Sequence, residues 1–510
     1  MFEQLLSQAR NTPRSTFVLH EDTDYDFETM AGLAQRGATW LAGQGIGQGD
    51  HVMIAVSNRP LFLFYWFSTL ALGAVAVPVS HDAFGEGFRY MLDQSDCRMV
   101  LTEAGEHERF AGAASEIGVP VHSFPDEASF ETAVTGLEPA PAVTPQAGAP
   151  MAILYTSGTT GLPKGVMIPS ASYRAIGEKI VSAAGISASD RILTFLPMHH
   201  ANPQMYALMS CLTVGCSMVL VPRFSASRFV AQVQRYGATG FTYVGTVLSI
   251  LAKEIQADIE SGLRFCVGGG APRGVWQELA PRLGVTVHEL YGMTETGGMV
   301  TINTLDRNRF GSVGQRRDDF DVEILDDDDN VLPPETVGEI AVRSLRPHVM
   351  TSGYYRKAEE TLQAMGNLWF HTGDLGRFDK DGFLYFEGRK KELIRRAGEM
   401  ISPVTIELCA LKHGAIADCA AVGIPDPVME EEIKLVVVPS GPVQARDIAD
   451  FIALALPRHM VPRYVEFVSE IPKTPTQKVQ RFKMVANTAF THDLRAKGQM
   501  NVPNSRVNNV

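Results

Sequence analysis

Cysteine is scarce: six in 510 residues (Cys97, Cys211, Cys216, Cys266, Cys409 and Cys419), with no CxxC pair and no Cys/His cluster at zinc spacing. That scatter argues against a disulfide-stapled scaffold and a structural metal site, and fits a reducing cytoplasm. Positive charge is in deficit, 45 Lys and Arg against 57 Asp and Glu, for a net charge of −12. Such an excess disfavours nucleic acid or an anionic membrane as a partner, so any anionic ligand must be held by local cations. A basic region followed by an apolar stretch is missing from MFEQLLSQARNTPRSTF, and NSRVNNV is no peroxisomal tripeptide, so no targeting segment is expected. Long apolar runs are nearly absent too. Leu61 to Val79 comes close to the roughly 20 residues of a membrane span, but Asn58-Arg59-Pro60 opens it and Gly73 and Pro78 punctuate its far end. That punctuation predicts a buried helix followed by a strand.

What is present is a multidomain globular composition, 45% hydrophobic and 20% charged, over a length too great for one ordinary core. Short β-branched-rich runs bounded by turn residues recur: HVMIAVS, RMVLTEA, MAILYTS, RILTFLP, SMVLVP and GFTYVG. Amphipathic stretches such as Ser227 to Tyr236 lie between them. The alternation predicts an α/β fold with parallel sheets wrapped by helices. A Pro/Ala loop, Pro139 to Pro150, leads into the first chemical motif. From about Val322 the pattern changes to short strands and turns, with VEIL and GEIAVRS on either side of an acidic run, Asp326 to Asp329. That run could be proposed as a metal site, but adjacent carboxylates ending in Asn330 read better as a solvated hairpin tip. After Gly388 the chain restarts as a compact α+β unit. No internal repeat is visible.

Five segments carry chemistry. The first, Tyr155 to Gly165 (YTSGTTGLPKG), is a strand running into a loop rich in Gly, Ser and Thr that ends at Lys164. Backbone N–H groups, hydroxyls and an ammonium suit a polyphosphate, although Leu-Pro between Gly161 and Lys164 departs from the Walker A pattern. The second, Tyr291 to Gly298 (YGMTETGG), offers a ring to stack on a base, hydroxyls for phosphate and a lone carboxylate, Glu295, for Mg²⁺, which needs few protein ligands. Glu295 also reads as a helix N-terminal acid beside Thr294 and Thr296 as caps. The third, Trp369 to Asp374 (WFHTGD), ends in an acid that can accept both hydroxyls of a ribose. The fourth, Gly388 to Gly398 (GRKKELIRRAG), is basic and also fits a solvated helical face. The fifth, Pro472 to Arg481 (PKTPTQKVQR), presents Lys478 on a short loop, where a lysine taken singly usually serves solubility.

In this order and at these separations, the five segments resemble the core motifs of the adenylate-forming superfamily: acyl-CoA synthetases, carrier-protein adenylation domains and luciferases. The resemblance runs from about Phe27 to Val485 and is nearest to the acyl-CoA synthetase branch, with PKTPTQKVQRF similar to crotonobetaine/carnitine-CoA ligases. It implies residues 1–388 as a large N-terminal adenylation domain of two α/β subdomains with parallel-rich sheets plus a small β-barrel-like subdomain. Residues 389–391 would be a hinge, 392–486 a small mobile α+β domain and 487–510 a tail.

The resemblance also implies roles. Thr156, Ser157, Gly158, Thr159, Thr160, Gly161 and Lys164 would hold the ATP β/γ-phosphates. Tyr291 would stack on adenine, with Gly269, Gly270, Ala271, Pro272, Glu289, Gly292 and Met293 about the nucleotide. Thr294 would touch the α-phosphate, Glu295 bind Mg²⁺, and Asp374 with Arg389 hold the ribose. Lys478 would be the catalytic lysine, with Lys164, Thr294, Glu295 and His200 as further catalytic candidates. An acyl pocket would be formed by His200, Asn202, Met205, Tyr243, Val244, Gly245, Gly268, Gly297 and Gly298. Arg395, Gly398 and Glu399 would line a CoA tunnel, and Lys391 would be the hinge residue.

The expected activity is that of an ATP-dependent carboxylic acid–CoA ligase: a carboxylate becomes an acyl-AMP with release of pyrophosphate, and CoA then takes the acyl group with release of AMP. A carboxylate attacking the α-phosphorus brings two anions together, so Mg²⁺ on Glu295 and the cations Lys164 and Lys478 must offset the repulsion. No nucleophilic cysteine is required. The expected partners are a small-molecule carboxylic acid, ATP and CoA, without nucleic acid or a transmembrane segment; a homodimer is left open. With His, Asn and Tyr among the pocket residues, the acid is expected to be small or polar. Two alternatives stay open: a stand-alone adenylating enzyme loading a carrier protein, and a non-catalytic nucleotide sensor. The chain ends soon after Lys478 with no Ser-bearing carrier domain, which favours CoA; a sensor would be expected to lose Lys478 or Glu295, and both are present. Two departures from the family pattern stand out: Gln477 in place of the usual Gly, and Gln315-Arg-Arg-Asp-Asp319 in place of a Pro-Gly stretch.

Overall fold

The most apolar stretch of the chain lies inside the protein. Pro60–Ala71 is a helix (α1) that starts on proline, where no intrahelical N–H is required, and all of its residues are buried. The chain then turns at Gly73 (φ 74°) into the strand Val75–Pro78, as the punctuation predicts. The computed structural model describes residues 1–156, 162–396, 399–473, 479–485 and 491–494. Among these, no helix is long and apolar enough to cross a membrane.

Two parallel-rich sheets follow from the alternating pattern. One has six strands in the order Val121–Phe124, Cys97–Glu103, His51–Ala55, Val75–Pro78, β1 (Pro150–Thr156) and β2 (Lys164–Pro169). Its first five strands are parallel, and β1 and β2 close it as an antiparallel hairpin with Thr156 opposite Lys164. Strand β2 passes directly into helix α2, Ser170–Ala184.

The other sheet has nine strands: Thr23–Asp26, Thr16–His20, Ser217–Leu220, Arg191–Thr194, β3 (Gly240–Val244), β4 (Phe265–Gly269), β5 (Thr286–Met293), β6 (Gly298–Ile302) and Gln315–Arg316. From Thr16–His20 to β5 they are parallel. Phe265 and Val267 of β4 enter one apolar core and Cys266 another, so this strand is covered on both faces. The amphipathic segment folds as Ala226–Tyr236 and buries Phe229, Val233 and Tyr236 at helical spacing. Before Ser217–Leu220 comes a short π-helix, Pro203–Leu208, with all six residues buried.

Four strands, Phe320–Leu325, Gly338–Ser344, Phe370–Phe378 and Leu384–Arg389, form a third sheet in that order. The acidic run is the tip between its first two strands. The Asp326 carboxylate accepts the N–H groups of Asp328 and Asn330, each at 2.9 Å, which ties it to its own turn.

The chain divides into two compact units, Met1–Thr372 with Arg377–Phe386, and Gly373–Gly376 with the residues from Glu387 onward. The second unit holds a six-stranded sheet: Glu399–Ile401, Ile394–Arg396, Glu430–Pro439, Tyr464–Phe467 and Thr491–Asp493 in order, with Ile416–Asp426 also paired to Glu430–Pro439. Helices Pro403–Ala410 and Ala445–Ala455 contribute Ile406, Ile448 and Ile452 to its core. The basic segment after Gly388 is not a solvated helical face. It forms one 3₁₀ turn, Lys390–Glu392, and the strand Ile394–Arg396, because Arg396 is drawn inside by Glu432 at 2.7 Å.

Candidate active site

The phosphate-type loop is the tip of the β1–β2 hairpin. Thr156 and Lys164 face each other across its base, while Ser157, Gly158, Thr159, Thr160 and Gly161 lie outside the described residues. Opposite this base sits Glu295. The structure corrects the reading of that residue as a helix N-terminal acid: no helix starts there. Thr294–Gly297 is the tight turn between β5 and β6, closed by Gly297 N–H donating to Thr294 O at 3.0 Å and by the Thr296 hydroxyl donating to Gly298 O at 2.7 Å.

Glu295 is buried, yet its two oxygens differ. Oε1 accepts the hydroxyls of Thr156 (3.1 Å) and Tyr354 (3.2 Å), whereas Oε2 takes no hydrogen bond from the described residues. Tyr354 is the joint of this cluster. Its segment extends the β2 edge through a Val166–Tyr354 bridge and Tyr355 N–H donating to Gly165 O at 2.8 Å. Its ring centroid lies 4.8 Å from Lys164 Nζ, close enough for a cation–π contact. Burial and the nearby Glu295 push the Tyr354 hydroxyl upward from its ordinary pKa, so it remains a donor. Thr156, Lys164, Tyr354 and Glu295 thus bring one cation, one carboxylate and two hydroxyls together. One open carboxylate oxygen is what a Mg²⁺ that keeps its water and phosphate ligands requires.

Beside this cluster, strand register builds a second. Tyr243, Gly268 and Glu289 are partners across β3, β4 and β5. Gly268 leaves the space between its neighbours open, and a Cβ there would lie 2.1 Å from Tyr243 O. The Tyr243 hydroxyl therefore reaches across to Glu289 Oε2. Oε1 of Glu289 accepts the N–H groups of Gly270 (2.5 Å) and Ala271 (3.0 Å), holding the turn that leads to Pro272. Burial raises the Glu289 pKa to about 7, against the opposing pull of these donors. Tyr291, on the same strand, is buried with its ring stacked on Phe386 at 6.1 Å. Gly292 lets β5 and β6 approach, since a Cβ there would meet Gly298 O at 2.2 Å.

The acyl-pocket candidates gather around the π-helix. Asn202 Nδ2 donates to Tyr243 O at 3.0 Å; Val244 and Gly245 follow, with a Cβ on Gly245 only 1.9 Å from Gly270 O. A Cβ on Gly298 would contact the Met205 sulfur at 3.0 Å, and one on Gly297 the Ser172 hydroxyl at 2.3 Å. The preceding loop is clamped on both sides of one residue, Met198. Met198 N–H donates to Asn58 Oδ1 (2.8 Å), and Met198 O accepts from Gln204 Nε2 (2.7 Å). Tyr173 of α2 donates in turn to Gln204 Oε1 at 2.5 Å. His200, two residues on, lies with its ring 4.0 Å from that of His199. Lost hydration, then the neighbouring His200 and His81, lower the His199 pKa well below its ordinary value and keep that ring neutral.

In the second unit, buried Asp374 accepts from Arg389 Nε at 3.1 Å. Lys391 lies in the 3₁₀ turn, exposed. Arg395 and Glu399 are exposed on paired strands, with Arg395 N–H donating to Glu431 at 2.7 Å. Gly398 and Lys478 lie outside the described residues. The described ends of the lysine loop are tied down: Lys473 bridges Val479 and pairs with Asp418 at 2.6 Å, and Arg481 pairs with Glu407 and with Glu392 at 3.1 Å.

A family model described as AMP-binding enzyme matches residues 5–355, and one described as AMP-binding enzyme C-terminal domain matches residues 405–478. The chain belongs to the AMP-binding enzyme family. Within that family its similarity lies with acyl-CoA synthetases. Sulfoacetate–CoA ligase of Cupriavidus necator is 33% identical over 497 residues, covering 94% of this chain and 96% of that protein. A crotonobetaine/carnitine–CoA ligase of Salmonella arizonae is 29% identical, covering 90% and 95%. Among solved structures, o-succinylbenzoate CoA synthetase from Bacillus subtilis with its acyl-adenylate intermediate superposes with a TM-score of 0.86 at 26% identity, over 94% of this chain and 97% of that one.

Sequence reasoning about this AMP-binding enzyme missed Tyr354, Ser172, Gln204 and Asn58. None stands in a glycine- or charge-rich motif, and each acts through a contact remote in the chain. Only the Asn58-Arg59-Pro60 helix start drew attention to one of them, and for a different reason.

Proposed function

We propose that this AMP-binding enzyme is an ATP-dependent carboxylic acid–CoA ligase acting on a short, polar acid. The observation that carries the reading is the Thr156–Lys164–Tyr354–Glu295 cluster at the base of the phosphate-type hairpin, since joining two anions demands a cation and a metal-binding carboxylate at one place. Lys164 steadies the β/γ-phosphates, and Tyr291 packs against the adenine. Glu295 would hold Mg²⁺, which would supply neutralisation of the phosphate charge. Asp374 and Arg389 hold the ribose, and Lys478 stabilises the charge that develops as the carboxylate attacks the α-phosphorus and pyrophosphate leaves. The segment containing Arg395, Gly398 and Glu399 serves the second step, in which the CoA thiol attacks the acyl carbon and AMP departs, with Lys391 as the hinge between residues 1–388 and the small domain 392–486.

Support for a short polar acid comes from the pocket candidates His200, Asn202 and Tyr243 and from relatives named for sulfoacetate and for crotonobetaine and carnitine. All six cysteines are unpaired, as a reducing cytoplasm allows. The test is acid-dependent pyrophosphate release across a panel of carboxylic acids, with and without CoA, followed by analysis for the thioester. Pyrophosphate, AMP and an acyl-CoA are expected; silence across the panel sinks the ligase, and adenylate without thioester redirects the acceptor to a carrier protein.

A further inference from the structure

Asn202 is a helical residue (φ −54°, ψ −61°) directly before Pro203, where the winding turns to π. Its Nδ2 donates to Tyr243 O at 3.0 Å. A carbonyl only accepts, so that bond fixes the orientation of the amide and commits its only donor nitrogen to β3. Oδ1 is left buried, with no hydrogen-bond partner among the described residues. An orphaned buried acceptor is destabilising, and a protein that retains one invites an explanation.

The surroundings indicate what completes it. Tyr243 O, to which Asn202 is tied, is the atom that a Cβ on Gly268 would strike. Asn202 therefore stands at the carboxyl ends of β3 and β4, the edge at which open α/β sheets take their ligands. The acceptor is an uncharged amide, matched to a neutral O–H donor; an ammonium group would call for a carboxylate. None of the residues read as the acyl pocket is Lys or Arg.

We infer that Asn202 is a specificity-determining residue whose Oδ1 accepts a hydrogen bond from a hydroxyl on the acid, so that the preferred substrate is a short hydroxy-monocarboxylate. This rests on the ligase reading above and adds the class of acid to it. The experiment compares acid pairs differing by one hydroxyl, lactate with propionate and 3-hydroxybutyrate with butyrate, by kcat/KM for acid-dependent pyrophosphate release. The wild type is expected to favour the hydroxy acid of at least one pair by about tenfold or more, because a site built to bind a hydroxyl rejects the analogue lacking it. Asn202→Leu should bring that ratio close to one, the hydroxy acid losing more than its analogue. Asn202→Asp keeps an acceptor and should keep the direction of the preference. Both acids are measured on one preparation, so partial misfolding cancels in the ratio. A wild-type ratio near or below one for both pairs, or a preference that survives Asn202→Leu, overturns the inference while leaving the ligase standing. No pyrophosphate from any acid in the broad panel overturns the ligase and the inference together.

Discussion

The two units lean on different contacts around the residues described above. In the first, position comes from close backbone approach: a Cβ on Gly245, Gly268 or Gly292 would lie 1.9, 2.1 or 2.2 Å from a neighbouring backbone oxygen. In the second, position comes from charge. Arg396 meets Glu432 at 2.7 Å, Arg463 meets Asp426 and Asp493 at 3.0 Å each, Arg481 joins Glu392 and Glu407, and fully buried Lys434 pairs with Glu466. Steric fit rejects an added methyl group whatever the ionic strength. An ion pair suffers most when one partner is deleted and the other is left buried.

The contrast can be broken most forcefully at the chemical groups themselves. Glu295→Gln and Lys478→Ala should each reduce adenylation about 10²–10³-fold, roughly 3–4 kcal/mol of transition-state stabilisation, with little change in melting temperature. Lys478→Ala should spare thioester formation from a preformed acyl-adenylate, and equal losses in the two half-reactions would remove it from the first step. Next, Arg481→Ala should destabilise the second unit by about 3 kcal/mol, since Glu407 loses a largely buried partner. Urea unfolding followed by proteolysis of each unit reads this; a loss confined to the first unit would contradict the division of labour drawn above.

A similar magnitude attaches to Glu289, in the form of a pH dependence. Its folded pKa of about 7 lies above its ordinary value of 4.5, so the folded state favours the protonated acid. The unfolded chain releases that proton first, and stability should therefore fall as pH rises from 4.5 to about 7, by at most roughly 3 kcal/mol. Glu289→Gln should flatten the curve of unfolding midpoint against pH in that window. The smallest expected effect is Gly268→Ala, about 1–3 kcal/mol of strain from the forced contact with Tyr243 O. It should show as a weaker KM for the acid, and a fully tolerated alanine would mean that β3 and β4 can spread.

Legibility in the sequence followed the kind of contact. Six strands of the two large sheets, the buried helix at Leu61 and the acidic hairpin tip were readable because local periodicity and turn residues dictate them. Tyr291, Glu295 and Asp374 could be singled out because they stand in dense motifs. The Glu295 turn was open to a helical reading because Thr294 and Thr296 are good caps; what decides against it is the pairing of β5 with β6, a tertiary fact. Tyr354, Gln204 and Asn58 were invisible for the same reason, each reaching its partner over a long sequence separation. The Gln315–Asp319 departure from the family pattern also acquired a meaning only in three dimensions, as Arg317 is buried and clamped by Asp319 while donating to Met299 O at 2.7 Å.

The π-helix has a consequence for how such an enzyme changes its diet over evolutionary time. Pro203–Leu208 winds with one residue more per hydrogen-bonded ring than an α-helix. Deleting a single residue there would restore ordinary winding and swing the residues before it relative to those after it by about 100°. Asn202 and Met205 would then face different neighbours with no other codon altered. If the pocket reading holds, one-residue insertions and deletions in this helix would reshape it while leaving the strands of both large sheets untouched.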